Sequence, residues 1–300
     1  MERGNGTSES WRVLVITNIP GAIVYRALSQ ILPSLGHQIV GVLTTPGPTR
    51  RRSSSYLDVV EAVEPDIDVL VSNHPSRWAE MLAPLRPDLI ICGGMPWRLP
   101  RELLDLPRLG AINIHPALLP RHRGPAPFAA VFRSGDAETG ITIHRMAPDF
   151  DTGPILAQKR IPVEDDDDFE SLIAKFMPVF PGLIAEAIGR VARGEPGDPQ
   201  DESLATYAGL LDDNWTSIDW RQPARSIHNK VRSLGEFRDP AGAVGQIDDQ
   251  MVRVTKTRLV PPDASTNLPP GSVVRQTETE LIVQCGDGPL AILRWAPEQR

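Results

Sequence analysis

Five short apolar runs punctuate the first 115 residues: RVLVIT (12–17), HQIVGVLTT (37–45), IDVLVSN (67–73), LIICGGM (89–95) and GAINIH (110–115). Each is short, rich in β-branched residues and bounded by turn residues, so each reads as a buried strand. Between the first two, Ile23, Ala27, Ile31 and Leu35 recur on one helical face. SRWAEMLAPLRPD, before the fourth run, reads as a short helix with a Pro-rich exit, and PGPTRRRSSS as a loop. Strands alternating with helices require right-handed crossovers. The expected fold is therefore α/β, a Rossmann-like doubly wound parallel sheet. Ligands of such sheets lie at the carboxyl ends of the strands, where Gly93, Gly94, Asn113 and His115 fall.

Further on, ETGITIHRMAPDFDTGPILAQKRIPV reads as two alternating strands around the loop APDFDTG. The acidic run Glu164–Asp168 suits the start of a helix. Neighbouring acids on a helix diverge, so no metal is expected there. FESLIAKF and LIAEAIGRVARG continue as helix, interrupted at Pro178 and Pro181, with Gly194 as the stop. The texture then changes. GEPGDPQDES (194–203) has linker composition. After it come a helix, PARSIHNKVRSL, and four strand-like runs, MVRVTKTRLV, GSVVRQ, ELIVQC and LAILRW. Short strands with Pro/Gly turns suggest a small, OB-like β-barrel. The expected organisation is a disordered leader at 1–10, a catalytic domain at 11–193, a linker at 194–203 and a barrel at 204–300.

A chain of 300 residues is long enough for two domains. Its net charge of −7 gives no global pull toward nucleic acid. No apolar run reaches the ~20 residues of a membrane span, and MERGNGTSESW lacks an apolar signal core, so a cytoplasmic protein without a membrane partner is expected. Cys92 and Cys285, far apart, read as free buried thiols. The sequence has no G-x-G-x-x-G after the first strand, no P-loop and no G-x-S-x-G elbow.

One constellation remains. Asn113 and His115 alternate on one strand and share a face. Asp151 lies in a Gly-bounded loop after a later strand. If they converge, Asn supplies an amide donor, His a donor or a base, and Asp a group that orients the imidazole and raises its pKa. That set suits acyl transfer without a covalent nucleophile. The plainer alternative, that Asn113 and His115 only satisfy backbone groups where a strand becomes a loop, stays open. So do the choices for His144, at a cleft or merely structural, and for Arg121 and Arg123, at a ligand or in solvent.

INIHPALLPRHRGPAP, followed by GDAETGITIHRM and DFDTGPIL, resembles the formyltransferases that use 10-formyltetrahydrofolate. The similarity runs from Trp11 to the end, and ATYAGLLDDNWTSIDWRQPARSIHNKVRSL resembles the start of that family's C-terminal barrel. The resemblance implies that Asn113, His115 and Asp151 are the catalytic trio. It implies that Leu118, Leu119, Pro120 and Gly124 shape the loop beside the cleft. It also implies that GGMPWRLP (Gly93, Gly94, Met95, Trp97, Leu99) and the loop with Asp149 and Phe150 line the pterin site; His144, which shares a strand face with Thr142, either borders that cleft or is structural. For Met95, Trp97 and Leu99, core packing is the competing reading. In the implied reaction an amine attacks the formyl carbon, Asn113 and a protonated His115 hold the oxyanion, Asp151 keeps His115 charged, and no metal takes part. The expected acceptor is the primary amine or hydroxylamine of a small biosynthetic substrate, an amino sugar nucleotide or an amino acid. Methionyl-tRNA is the alternative, with Arg50–Arg52 and Arg253, Lys256, Arg258 and Arg275 as its phosphate contacts. A formyltetrahydrofolate hydrolase using water, and a non-catalytic binding module, complete the range.

Overall fold

A computed structural model describes residues 9–47, 54–210, 213–235, 241–261 and 267–298. Arg50–Arg52 and most of the leader lie outside these. The N-terminal sheet has seven strands in the order β3-β2-β1-β4-β5-β6-β7. They are β1 (Arg12–Thr17), β2 (Gln38–Thr44), β3 (Val69–Val71), β4 (Leu89–Gly93), β5 (Ala111–His115), β6 (Glu138–Arg145) and β7 (Ile155–Pro162). The helices that accompany them are α1 (Ile23–Ser34), α2 (Ser55–Ala62), α3 (Trp78–Leu82), α4 (Arg101–Leu104), α5 (Pro127–Ser134), α6 (Phe169–Phe176) and α7 (Phe180–Ala192). β1 to β5 pair in parallel, which bears out the Rossmann-like expectation. The sheet is mixed rather than wholly parallel, because β6 runs antiparallel to β5. β1 lies between β2 and β4, so the strand order reverses there and opens the carboxyl-end crevice.

Local sequence explains several boundaries. Asp168 caps α6 by accepting from the Ser171 amide while the Ser171 hydroxyl accepts from the Asp168 amide. Pro181 sits in the first turn of α7, where its missing N–H costs nothing. Gly194 follows that helix with φ 68°. The helices α2, α4 and α5 add to those expected from the sequence. The apolar residues beneath part of the sheet are Leu14, Ile16, Leu43, Trp78, Leu82, Ile90, Cys92, Leu99, Leu103 and Ala111.

The C-terminal part holds α8 (Ala224–Ser233) and five antiparallel strands in the order β10-β11-β12-β9-β8. These are β8 (Ala243–Ile247), β9 (Gln250–Leu259), β10 (Val273–Gln276), β11 (Leu281–Gln284) and β12 (Pro289–Pro297). Four of the five match the strand-like runs. β8 has two glycines flanking its start and middle, which weakens its pattern. Ile227 and Val231 of α8 join Trp220, Val252, Val254, Leu290 and Ile292 in the core of this part.

The chain divides into two compact units. One comprises Met1–Pro125, Ile141–Lys159 and Pro178–Thr206; the other comprises Ala126–Gly140, Arg160–Met177 and Tyr207–Arg300. Within the second, the acidic run finds its partners. Arg225 forks onto Asp165, Arg232 donates to the carbonyls of Glu164, Asp165 and Asp167, and Lys175 pairs with Asp167. Both cysteines are free and buried, and burial first of all pushes each thiol up to about 12. Among the described residues no single helix is long and apolar enough to cross a membrane.

Candidate active site

The site grows from the pairing of β5 with β6. The register sets Asn113 opposite His144 and His115 opposite Thr142. Period-2 alternation then puts all four on one face. After β6 the chain turns back through Asp151, which has φ 55°, a left-handed conformation that Asp tolerates better than most side chains. Two carbonyls of this turn, those of Asp151 and Gly153, each accept from the Gln200 amide at 2.7 Å. Arg123, buried, holds Gln200 in place and forks onto Glu202. Arg123 thus supports the site from behind rather than meeting solvent or a ligand. Neither Gln200 nor Glu202 stood out in sequence, because both lie in a stretch of linker composition.

The Asp151 carboxylate is the centre. Its Oδ1 accepts from Asn113 Nδ2 at 3.1 Å and lies 3.3 Å from His144 Nε2. Its Oδ2 accepts from the Gly124 amide at 2.8 Å and lies 3.5 Å from His115 Nδ1. The structure therefore brings together Asn113, His115, Asp151, His144 and Gly124. Thr142 anchors the loop beyond β5, donating to the Ala117 carbonyl and accepting from the Leu119 amide. Leu118 and Pro120 on that loop are half-buried.

Burial would push the Asp151 carboxyl up. The imidazoles of His115 and His144 and the Gly124 amide outweigh that and hold it at about 2. Burial pushes His115 below the usual imidazole range, and the Asp151 charge offsets this only in part. These two directions pull against each other, since a charged His115 helps keep Asp151 low. The charge and hydrogen bonding of the two imidazoles do most to keep Asp151 ionised, with the Gly124 amide after them. The expectation that His115 is kept protonated is corrected: its desolvation favours the neutral ring.

The other expected lining residues divide. Gly93 ends β4 beside Ile114. Gly94 is exposed with φ 69°, and a Cβ there would overlap Ile19. Leu99 belongs to the buried core under the sheet, and Met95 and Trp97 pack against it. Asp149 is exposed and pairs with Arg98 at 2.7 Å, while the same guanidinium lies 5.3 Å from the Phe150 ring. Arg98 so ties the loop after β4 to the loop that carries Asp151.

His37, His115 and His228 each have a pKa lowered chiefly by burial. Their folded values lie below the unfolded value of about 6.5. The stability they contribute is full above that pH and is lost as pH falls through the folded values. The urea midpoint is expected to be lower at about pH 5.5 than at about pH 7.5. An equal or higher midpoint at the acid pH would contradict the neutral burial of these rings.

Asn113, His115 and His144 thus surround an ionised carboxylate at the carboxyl ends of a Rossmann-like sheet. The comparisons give the chain a family. Residues 12–188 match the formyl transferase family and residues 211–300 its C-terminal domain, so the chain belongs to the formyl transferases and is a formyl-transferring enzyme. It is 35% identical over 270 residues to a methionyl-tRNA formyltransferase of Pelobacter propionicus, covering 88% of this chain and 82% of that one. It is 34% identical over 265 residues to one of Pseudomonas entomophila, covering 86% and 83%. Among solved structures it resembles HypX from Aquifex aeolicus in complex with tetrahydrofolic acid (TM-score 0.70, 17% identity, 97% of this chain and 45% of that chain). It also resembles WlaRD, a sugar 3N-formyl transferase (TM-score 0.65, 15% identity, 97% and 100%). At such identities these two share the fold.

Proposed function

We propose that this enzyme moves the formyl group of 10-formyltetrahydrofolate onto the amino group of methionyl-tRNA. The observation that carries the acceptor is the 34–35% identity to methionyl-tRNA formyltransferases across more than four fifths of both chains. It displaces the small amine as first choice. The co-substrate supplies an activated formyl group. The residues fit such a ligand in one respect: in the loop after β4 the Trp97 indole N–H is buried without a partner, an orphan donor for an acceptor-rich ring. Gly93, Gly94 and Met95 would hold that ring beside it, and Arg98 would fix the facing loop.

Asn113 Nδ2 is the donor for the charge that gathers on the formyl oxygen. Asp151 stays ionised between the two imidazoles and takes the proton that the attacking amine releases. His115 enters the reaction uncharged. Its Nε2 donates to the His122 carbonyl at 2.8 Å, so its Nδ1 lone pair faces Asp151 and shares the proton there. The proton then passes to N10 of the departing tetrahydrofolate.

One observation favours the small-amine reading. Of the C-terminal cations offered as phosphate contacts, Arg258 and Arg275 both pair with Glu280, Arg253 with Glu298, and Lys256 lies 3.5 Å from Asp168. Cations neutralised by the protein itself release fewer counterions to a nucleic acid. The deciding assay follows tetrahydrofolate release with methionyl-tRNA, with a panel of amino sugars and amino acids, and with no acceptor. Release with methionyl-tRNA alone is expected. Release only with a small amine moves the assignment to it, and equal release without an acceptor makes the enzyme a hydrolase.

A further inference from the structure

Asn113 Nδ2 lies 3.1 Å from Asp151 Oδ1 and 3.2 Å from His144 Nε2, so its two amide hydrogens have an acceptor each when Nε2 is bare. The amide cannot be turned over, since its carbonyl would then face the Asp151 carboxylate. With one N–H on each acceptor, the ligand-free site offers a formyl oxygen no free donor from Asn113.

The tautomer of His144 is set by its other nitrogen. Nδ1 lies 2.8 Å from the Arg145 carbonyl, which can only accept, so Nδ1 carries a proton. The neutral ring therefore has a bare Nε2, which accepts from Asn113. The same Nε2 lies 3.3 Å from Asp151 Oδ1. If Nε2 gains a proton it can no longer accept; it donates to Asp151 instead. One Asn113 N–H is then released.

We infer that His144 is a positioning residue that couples proton removal from the amine to the oxyanion donor: protonated at Nε2 through Asp151, it frees one N–H of Asn113 for the formyl oxygen. The inference rests on the trio acting as proposed above. In balance, the amine N–H bond breaks as its nitrogen joins the formyl carbon, and the proton rests on His144 by way of Asp151. When the bond from N10 to the formyl carbon breaks, that proton returns through Asp151 to N10. A proton at His115 has no such effect, because His115 does not touch Asn113 in this network. The titratable groups that face His144 are Asp151 and, with ring centroids 6.3 Å apart, His115; Cys92, whose thiol feels the Asp151 charge, is the strand neighbour of Asn113. His144 is 1% exposed, so bulk water does not substitute for it.

The test uses the whole enzyme. With 15N-labelled His and Asn, the ligand-free protein is titrated by NMR. Neutral His144 is expected as the Nδ1–H tautomer, with one Asn113 amide proton shifting at the midpoint of His144. In His144→Gln that step vanishes while the Asn113 signals persist. With whichever acceptor supports wild-type turnover, His144→Gln should lose about 10²-fold in kcat, keep KM for the folate within about 3-fold, and lose the acid-side inflection in kcat. A purely structural role would instead lower Tm and leave the pH profile in place. A neutral Nε2–H tautomer, an Asn113 amide indifferent to His144, or a His144→Gln kcat within about 3-fold of wild type overturns the inference. The titration needs no acceptor, so a wrong acceptor shows itself separately, as absent wild-type turnover with methionyl-tRNA.

Discussion

Replacing Asn113 with Ala is expected to lower the rate of formyl transfer about 10²–10³-fold while the protein stays folded. The two consequences separate because the side chain has two kinds of neighbour. In the ligand-free protein its amide serves Asp151 and His144, and both keep other partners when it is gone: Asp151 retains the Gly124 amide, and His144 retains the Arg145 carbonyl. Asn113 is only half-buried, so water reaches the space it leaves. The stability cost should stay near 1 kcal/mol. In the proposed reaction no second donor stands in for it, because His115 Nε2 is committed to the His122 carbonyl. Asn113→Asp keeps the shape and removes the donor. It also sets a carboxylate where Asn113 Nδ2 now lies, 3.1 Å from Asp151 Oδ1, so the two acids must share a proton. This variant should be at least as slow as Asn113→Ala. The readout is the single-turnover rate at saturating folate, with thermal unfolding alongside. An Asn113→Ala rate within about 3-fold of wild type removes Asn113 from the mechanism.

How far the site could be read in sequence follows the range of the contacts that build it. The shared face of Asn113 and His115 is a two-residue relation fixed by strand alternation, and it was legible. The Gly-bounded loop around Asp151 was legible as a turn, though not its left-handed residue. The pairing of Asn113 with His144 spans 31 residues and depends on the register of an antiparallel strand in an otherwise parallel sheet. No local pattern specifies that register. Gln200 and Glu202 lie 77 and 79 residues from Arg123, in a stretch whose Gly and Pro content reads as linker. Leu99 shows the opposite failure: resemblance placed it in a cleft, while its apolar side chain belongs to the core with Leu14 and Ile90. The acidic run was legible as a helix start because capping is local. Its ties to Arg225 and Arg232 were not, because they cross about 60 residues of chain.

Gly153→Ala is the substitution expected to damage the fold of the site most. A Cβ at Gly153 would lie 1.8 Å from the Arg145 carbonyl oxygen and 2.8 Å from its carbon. Those are backbone atoms, so no side chain can rotate away. Either the end of β6 moves or the turn through Asp151 does. Both are pinned. The Arg145 amide donates to the Pro154 carbonyl at 2.9 Å, and Gln200 holds the carbonyls of Asp151 and Gly153. The cost should be about 2–4 kcal/mol, with activity lost beyond what unfolding explains because Asp151 is carried off its partners. Gly182 provides the opposite sign. It lies in the first turns of α7, and a Cβ there meets nothing within 4 Å. Gly182→Ala should therefore stabilise by about 0.4–1 kcal/mol, through the lower entropy of the unfolded chain, and leave activity alone. Urea unfolding of the two variants side by side makes the comparison. A Gly153→Ala protein as stable and active as Gly182→Ala would mean that the turn does not depend on the close approach of Gly153 to Arg145, and that Asp151 is held by its side-chain partners alone.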